Sequence, residues 1–265
     1  MRLHPRISLC ALPLLAFGLL YAQRGFRGYS SEEDNPAPIP ADAGEKTEWA
    51  FARLQYSSVF RRWGGGSWAT DYPKADRQFV LGVRRLTRLH TRSMEQVVNL
   101  ERDNDEIYNW PWIYGVEVGR WELSDEEAAR LRDYLLRGGF LMVDDFHGTR
   151  EWEIFLASMS RVFPDRPIEE IEPGDPIFHV LYDLEQMTQV PGIHTIYSGR
   201  TFERDGIEPR WRAIYDDRRR IMAAICFNQD NGDAWEHADD PRYPEAAASQ
   251  AYRMAINYII YAMTH

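Results

Sequence analysis

SDEEAARLRDYLLRGGFLMVDDFHG, residues 124–148, predicts a helix, a turn and a buried strand in succession. Ser124 and Glu127 have the spacing of a capping box, in which each side chain binds the other residue's backbone amide. Apolar residues then recur at helical spacing up to Gly138, a residue type that commonly ends helices. Phe140–Val143 is apolar at every position, which is typical of a strand covered on both faces of a parallel sheet.

Similar patterns recur on both sides of this unit. Further strands are predicted at Phe51–Tyr56, Gln96–Leu100, Trp112–Val116, His194–Tyr197, Arg212–Tyr215 and Ile221–Phe227. Further helices are predicted at Ala75–Thr87, in the segment after residue 148, and at Ala246–Met263. The alternation of strands and helices indicates an α/β sandwich with a mostly parallel central sheet and helices on both faces. A small antiparallel hairpin is expected around residues 216–218.

Residues 1–22 have the pattern of a secretory signal. Arg2 and Arg6 precede the apolar run Ile7–Tyr21, and Ala22 is a small residue at the expected cleavage point. The run is shorter than the roughly 20 residues of a membrane-spanning helix. We therefore expect an exported protein, periplasmic or extracellular. The alternative is an uncleaved anchor, and membrane contact is expected only in that case.

Composition limits the classes of function. Residues 23–47 are rich in proline and acids and are predicted to be a disordered linker, whereas residues 48–265 are enough for a single α/β domain with one core. The net charge of −10, from 31 basic and 41 acidic residues, argues against nucleic-acid binding, which needs a basic face. Loss of the signal removes Cys10 and leaves only Cys226, so no internal disulfide is expected.

Polar side chains follow three of the predicted strands. Ligands of open α/β sheets bind beyond the carboxyl ends of the strands, and neighbouring parallel strands bring those ends to one edge. The sequence therefore predicts an acidic cleft with aromatic walls at that edge. Its candidate residues are Asp71, Asp144, Asp145, His147, Asn228, Asp230 and Asp233.

Two interpretations of these residues stay open. Carboxylates and imidazole are ligands of divalent metal ions, and the candidate metal ligands are Asp144, Asp145, His147, Asp230 and Asp233. In the alternative, the aspartates after the strand cap the next helix and satisfy loop amides, with the histidine hydrogen-bonded locally. The segment from residue 228 to 233 does not fit a calcium-binding EF-hand loop, because its glycine falls at position 5 rather than 6. A turn held by side-chain-to-backbone bonds is expected there instead.

Several catalytic motifs are missing from the chain. Gly64–Ala69 fits the G-x-G-x-x-A dinucleotide pattern only nominally, because it is separated from the preceding strand and opens no helix at once. A plain loop is the prediction there. The sequence contains no H-E-x-x-H, no P-loop and no complete G-x-S-x-G. Cys226 lies inside an apolar strand, where a thiol is typically a packing residue and not a nucleophile.

Taken together, six segments resemble the bacterial domain-of-unknown-function family 4159 over about residues 48–265. They are Arg53–Tyr56, Trp68–Asp76, Pro111–Tyr114, Arg137–Gly148, Asn228–Trp235 and Asn257–His265. The family has no established activity that could be carried over to this chain. It is distantly similar to the class I glutamine amidotransferase-like fold, a flavodoxin-like α/β sandwich, in which a nucleophilic cysteine sits at the turn after a central strand. The matching turn here carries Asp144 and Asp145, so the resemblance implies the fold but not glutamine hydrolysis.

Three hypotheses about function follow from these residues. In the leading one, an exported amidotransferase-like domain without the cysteine nucleophile binds a small ligand or an envelope protein at the strand-end cleft. In the second, the domain is a metal-assisted envelope hydrolase that uses Asp144, Asp145, His147, Asp230 and Asp233, with a divalent metal as cofactor. In the third, it is a structural assembly module of the cell envelope.

Overall fold

Seven strands form one sheet in the computed structural model, which describes residues 39–58, 67–100 and 105–265. The expected signal segment and the linker up to residue 38 lie outside the described residues. The strands are β1 (Ala52–Gln55), β2 (Gln96–Asn99), β3 (Trp112–Val116), β4 (Phe140–Asp144), β5 (Glu169–Glu170), β6 (Arg210–Tyr215) and β7 (Ile221–Phe227).

The strand order across the sheet is β2-β1-β3-β4-β7-β6-β5. The first five of these strands are parallel. β6 runs antiparallel to β7, and β5 antiparallel to β6, so the predicted mostly parallel sheet with a small hairpin is confirmed. Because the five parallel strands all end at one edge, the residues that follow them are brought together there. We call this the strand-end edge.

The described residues also contain six α-helices. They are α1 (Lys74–Leu86), α2 (Asp125–Leu136), α3 (Gly148–Val162), α4 (Ile193–Tyr197), α5 (Asn231–Glu236) and α6 (Glu245–Thr264). The predicted capping box at the start of α2 is confirmed, because Ser124 Oγ accepts from the amide of Glu127 at 3.2 Å and Glu127 Oε2 accepts from the amide of Ser124 at 2.7 Å. No helix among the described residues is both long and apolar enough to cross a membrane.

β4 separates two hydrophobic cores. Phe140 and Met142 point into one core, with side chains from α1 and α6, whereas Leu141 and Val143 point into the other, with side chains from α2 and α3. All four side chains are fully buried. The prediction that β4 is covered on both faces is therefore confirmed, and the sheet lies between two helical layers.

One predicted strand was wrong. His194–Tyr197 belongs to the short helix α4 and not to the sheet. The reason is a contact that is distant in sequence: Asp233 Oδ2 accepts the amide of Ile193 at 2.6 Å and so satisfies a donor in the first turn of the helix. Within the helix, Thr195 Oγ1 donates to the carbonyl of Gly192 at 2.7 Å. Alternation over four residues could not reveal this cap.

Candidate functional site

Three adjacent parallel strands end in the same unusual way. The residues that directly follow β3, β4 and β7 are Glu117, Asp145 and Asn228, and their φ angles are 49°, 53° and 60°. Non-glycine residues in this left-handed region are uncommon and concentrate at functional sites. Asp71, in the segment that joins β1 to α1, also has a φ of 60°. Each sharp turn keeps a polar side chain at the strand-end edge.

Asp144, the last residue of β4, has a structural role at this edge. Its two carboxylate oxygens accept from the amide and side chain of Asn231, each at 2.7 Å, and from the amide of Gly232 and the hydroxyl of Tyr114, each at 3.1 Å. Burial raises its pKa to about 6, although these donors oppose the rise. With four donors satisfied, Asp144 holds the start of α5 against β4. An aspartate after β4 is expected to cap the next helix, α3, whereas Asp144 binds the start of α5.

Asn228 is also occupied by its own fold. Its side-chain oxygen accepts from the amide of Gly148 at 2.9 Å, and its side-chain nitrogen donates to the carbonyl of Glu208 at 2.7 Å. These bonds tie the end of β7 to the start of α3 and to the segment before β6. Asn228 therefore lies at the predicted edge as a brace for its loops.

Asp71, Asp230 and Asp233 form a cluster that we call the three-aspartate site. One carboxylate oxygen from each lies within 4.8 Å of the others. Asp230 caps α5 by accepting the amide of Asp233 at 2.8 Å through Oδ1. Asp71 Oδ2 is buried without a hydrogen-bond partner among the described residues, and it lies 2.5 Å from where a Cβ on Gly232 would be. The missing side chain of this glycine leaves room for the carboxylate.

The aspartates at the strand-end edge have little compensation from lysine or arginine, although the charge of Arg53 partly opposes the raised pKa of Asp71. Among the described residues, no lysine or arginine forms an ion pair with Asp71, Asp145, Asp230 or Asp233. Burial, reinforced by the neighbouring carboxylates, raises the pKa of Asp71, of Asp145 and of Asp230 well above the usual value. Buried acids of like charge at this spacing repel one another unless protons or a cation neutralise them.

Asp145, His147 and Glu203 form a second cluster, the histidine site. His147 Nε2 lies 3.2 Å from Asp145 Oδ1 and 3.9 Å from Glu203 Oε1. The imidazole is 2% exposed, and burial lowers its pKa and so favours the neutral ring. The bond to Asp145 agrees with the expectation that His147 is hydrogen-bonded locally. It also presents a neutral nitrogen beside two carboxylates, which is the donor set of a metal site.

A third grouping overlaps with the three-aspartate site. Asp233, Glu236 and His237 also place one potential ligand atom each within 4.8 Å of the others. His237 Nε2 lies 3.6 Å from Asp233 Oδ1. Because it shares Asp233, this grouping widens the acidic edge along α5 and does not form a separate centre.

A buried ion pair positions Asp71. Arg53, on β1, pairs with Asp76 of α1 through its Nε at 2.8 Å, and both side chains are fully buried. The same guanidinium donates to the carbonyls of Trp68 and Thr70 at 2.9 and 3.0 Å. Arg53 therefore holds both sides of the Asp71 segment against the first strand. This contact links two of the sequence segments that resemble a known family.

The seven predicted residues all lie at the strand-end edge, but they have different contacts there. Asp144 and Asn228 brace loops, whereas the other five belong to the two clusters. Sequence reasoning missed Glu117 and Glu203. Glu117 directly follows a predicted strand, so the strand-end rule that selected Asp145 also applies to it. Glu203 follows the segment wrongly predicted as a strand, and no signal in the sequence marked it.

The structure bears on two further predictions, the loop at Gly64–Ala69 and the role of Cys226. Gly64–Gly66 lies outside the described residues, and Ser67–Ala69 forms a single 3₁₀ turn before α1 begins at Lys74. Cys226 is fully buried in β7, and burial raises the pKa of its thiol well above the usual value. The sequence-based interpretation of Cys226 as a packing residue is confirmed by its place in the hydrophobic core.

Residues 50–263 match the model of one protein family, described as Domain of unknown function (DUF4159). The chain therefore belongs to this family. No curated protein matches the chain.

Proposed function

We propose that this DUF4159 domain binds a hard divalent cation at the three-aspartate site and uses the bound ion to hold an oxygen-rich ligand at the strand-end edge. One observation carries the proposal: Asp71, Asp230 and Asp233 each place one carboxylate oxygen within 4.8 Å of the others, and Asp71 Oδ2 is buried with no hydrogen-bond donor among the described residues. A divalent ion would supply the missing charge.

The ligand chemistry selects the class of ion. Three carboxylates form an all-oxygen set, which suits Mg²⁺, Ca²⁺ or Mn²⁺ better than softer ions. Three protein ligands also leave coordination positions for water or for a ligand oxygen. The short helix α5 supports the arrangement, because the side chains of Asp230 and Asp233 are fixed at its start by bonds to the amides of Asp233 and Ile193.

The strand order supports a flavodoxin-like fold for the domain. The five parallel strands follow the order 2-1-3-4-5 when counted among themselves, and that order typifies flavodoxin-like doubly wound sheets. We propose the amidotransferase-like relationship on this ground. The buried thiol of Cys226 and the aspartates at the turn after β4 argue against an amidase reaction.

Export is the second part of the proposal. It rests on Arg2, Arg6, the apolar run up to Tyr21 and the small residue Ala22. Fractionation of cells that express the full chain or a chain without residues 1–22 tests it. We expect the full chain outside the cytoplasm and the truncated chain inside, and retention of both in the cytoplasm would overturn it.

Metal analysis tests the cation directly. Protein purified without chelator should contain about one equivalent of Mg²⁺, Ca²⁺ or Mn²⁺ at this site, and chelator-stripped protein should melt at a higher temperature when the ion is restored. Asp230→Asn should lose the ion, whereas Asp183→Asn, at an exposed carboxylate outside the cluster, should keep it. Absence of bound metal together with an unchanged melting temperature would overturn the proposal.

A further inference from the structure

The histidine site has a donor set different from that of the three-aspartate site. Asp145, His147 and Glu203 contribute two carboxylates and one imidazole, and one potential ligand atom from each lies within 4.8 Å of the others. The three residues come from the turn after β4, the position before α3 and the segment after α4. The loop between β4 and α3 and the segment after α4 thus converge on one point.

Two polar atoms of this cluster have no hydrogen bond among the described residues. His147 is 2% exposed, and its Nδ1 has no hydrogen bond among the described residues. Glu203 Oε1 is likewise buried without a hydrogen bond, and Nε2 of the exposed His194 lies at ion-pair distance from it, 3.1 Å. Arg204 comes no closer to Glu203 than 3.7 Å and makes shorter ion pairs with Glu151. A bound metal ion would satisfy such buried atoms.

We propose that Asp145, His147 and Glu203 bind a second divalent ion, of the class that accepts nitrogen as well as oxygen, such as Zn²⁺ or Co²⁺. One imidazole and two carboxylates, with a water or ligand in the fourth position, form a donor set typical of open zinc sites. The all-oxygen set of the first site favours a different ion, so the two sites are chemically distinguishable.

Gly192 places the two sites side by side. A Cβ on this residue would lie 2.7 Å from Asp230 Oδ2 and 2.8 Å from Glu203 Oε1. One carboxylate from each site therefore faces the same glycine. Pairs of metal ions roughly 3.5–4 Å apart bind one bridging oxyanion between them. We infer that the paired ions hold a phosphate or phosphate ester; this pairing rests on the proposed function, whereas binding of the second ion does not.

Cobalt titration of the chelator-stripped full chain tests the second site. Co²⁺ reports nitrogen ligation by its visible absorption, and calorimetry gives the number of bound ions. We expect two equivalents for the wild-type chain, and one equivalent without the nitrogen-dependent spectrum for His147→Gln. Asp230→Asn should bind one equivalent and keep that spectrum. His179→Gln, at a histidine hydrogen-bonded to Asp183 and the carbonyl of Pro173, is the matched control and should behave like the wild-type chain.

The outcomes separate the two sites. If His147→Gln binds as many Co²⁺ ions as the wild-type chain with an unchanged spectrum, the second site is overturned. If His147→Gln loses one ion and Asp230→Asn loses none, the second site stands and the first fails. Should His147→Gln not fold, as judged by circular dichroism, Glu203→Gln replaces it with the same expectation, because the side chain of Glu203 is less buried, at 14% exposed against 3% for His147.

Inorganic phosphate tests the pairing. Calorimetric titration of phosphate into protein loaded at both sites should show binding that weakens at least tenfold in either single-site variant. Equal phosphate affinity for the wild-type chain and both variants would overturn the bridging role.

Discussion

Replacement of Asp230 by asparagine should have opposite effects on the metal-free and the metal-bound protein. The side chain caps α5 through Oδ1, and asparagine caps helices as well as aspartate does. The substitution therefore removes one negative charge with little change of shape. At 4.8 Å, the upper limit of the distances between these oxygens, two ionised carboxylates repel by about 3.5 kcal/mol at an effective dielectric constant of 20. Because protons already neutralise part of this charge, we expect the metal-free variant to be more stable by about 1 kcal/mol at pH 7.5.

The metal-bound protein should respond in the other direction. Loss of one of three anionic ligands should weaken ion binding by about 100-fold, equivalent to about 2.7 kcal/mol. At an ion concentration 100 times the wild-type Kd, the ion stabilises the wild-type chain by about 2.7 kcal/mol and the variant by about 0.4 kcal/mol. For a domain of this size, these values correspond to increases in Tm of about 5–11 °C and about 1–2 °C.

Differential scanning calorimetry with and without Mn²⁺ measures both effects in one experiment. Asp183→Asn is the control, because it removes an exposed carboxylate outside both clusters. A metal-free variant that is less stable than the wild-type chain and still gains the full increase in Tm with Mn²⁺ would refute the reasoning. That pattern would make Asp230 a structural residue only.

Three further predictions concern stability and pH. Asp144→Asn should lower the free energy of unfolding by about 2–4 kcal/mol in urea titrations. The asparagine would replace one of the two acceptor oxygens by an NH₂ group, so that donors of Asn231 or Gly232 would lose their acceptor. An unchanged urea midpoint would contradict this prediction. Arg53→Met should lower the free energy of unfolding by about 3–5 kcal/mol in the same assay, because Asp76 is left buried without its partner. The same variant should bind Mn²⁺ more weakly, because the segment that carries Asp71 loses its contacts with Arg53. Calorimetry that finds wild-type Mn²⁺ affinity in the folded variant would count against the positioning role. The increase in Tm with Mn²⁺ should grow from pH 5.5 to pH 8, because the raised pKa values of Asp71 and Asp230 make protons compete with the ion. Over the same pH range, the contribution of these two acids to the stability of the metal-free protein should fall. An increase in Tm that does not depend on pH would contradict this competition.

The fold was predictable from the sequence where the signals are local. The capping box at Ser124 and the continuous apolar run of β4 each depend on a few neighbouring residues, and both are confirmed. The helix α4 was not predictable, because its first amide is satisfied by Asp233, which lies 40 residues away in sequence. Local alternation cannot register such a contact.

The position of the candidate site was predictable from the sequence, but the contacts of its individual residues were not. The strand-end rule found Asp144 and Asp145 as neighbours, yet one braces α5 through four hydrogen bonds and the other faces His147. The difference arises because successive residues at a strand end point in different directions and the second adopts a left-handed φ. Glu203 enters the histidine site from a distant segment, and no spacing rule connects it to the strand ends.

Anomalous diffraction from a crystal grown with Mn²⁺ tests the central claim most directly. We predict a peak in the anomalous difference map about 2.1–2.4 Å from one carboxylate oxygen each of Asp71, Asp230 and Asp233. A well-ordered crystal without a peak at these side chains, at a Mn²⁺ concentration that saturates other carboxylate sites, would contradict the claim that they form a metal site.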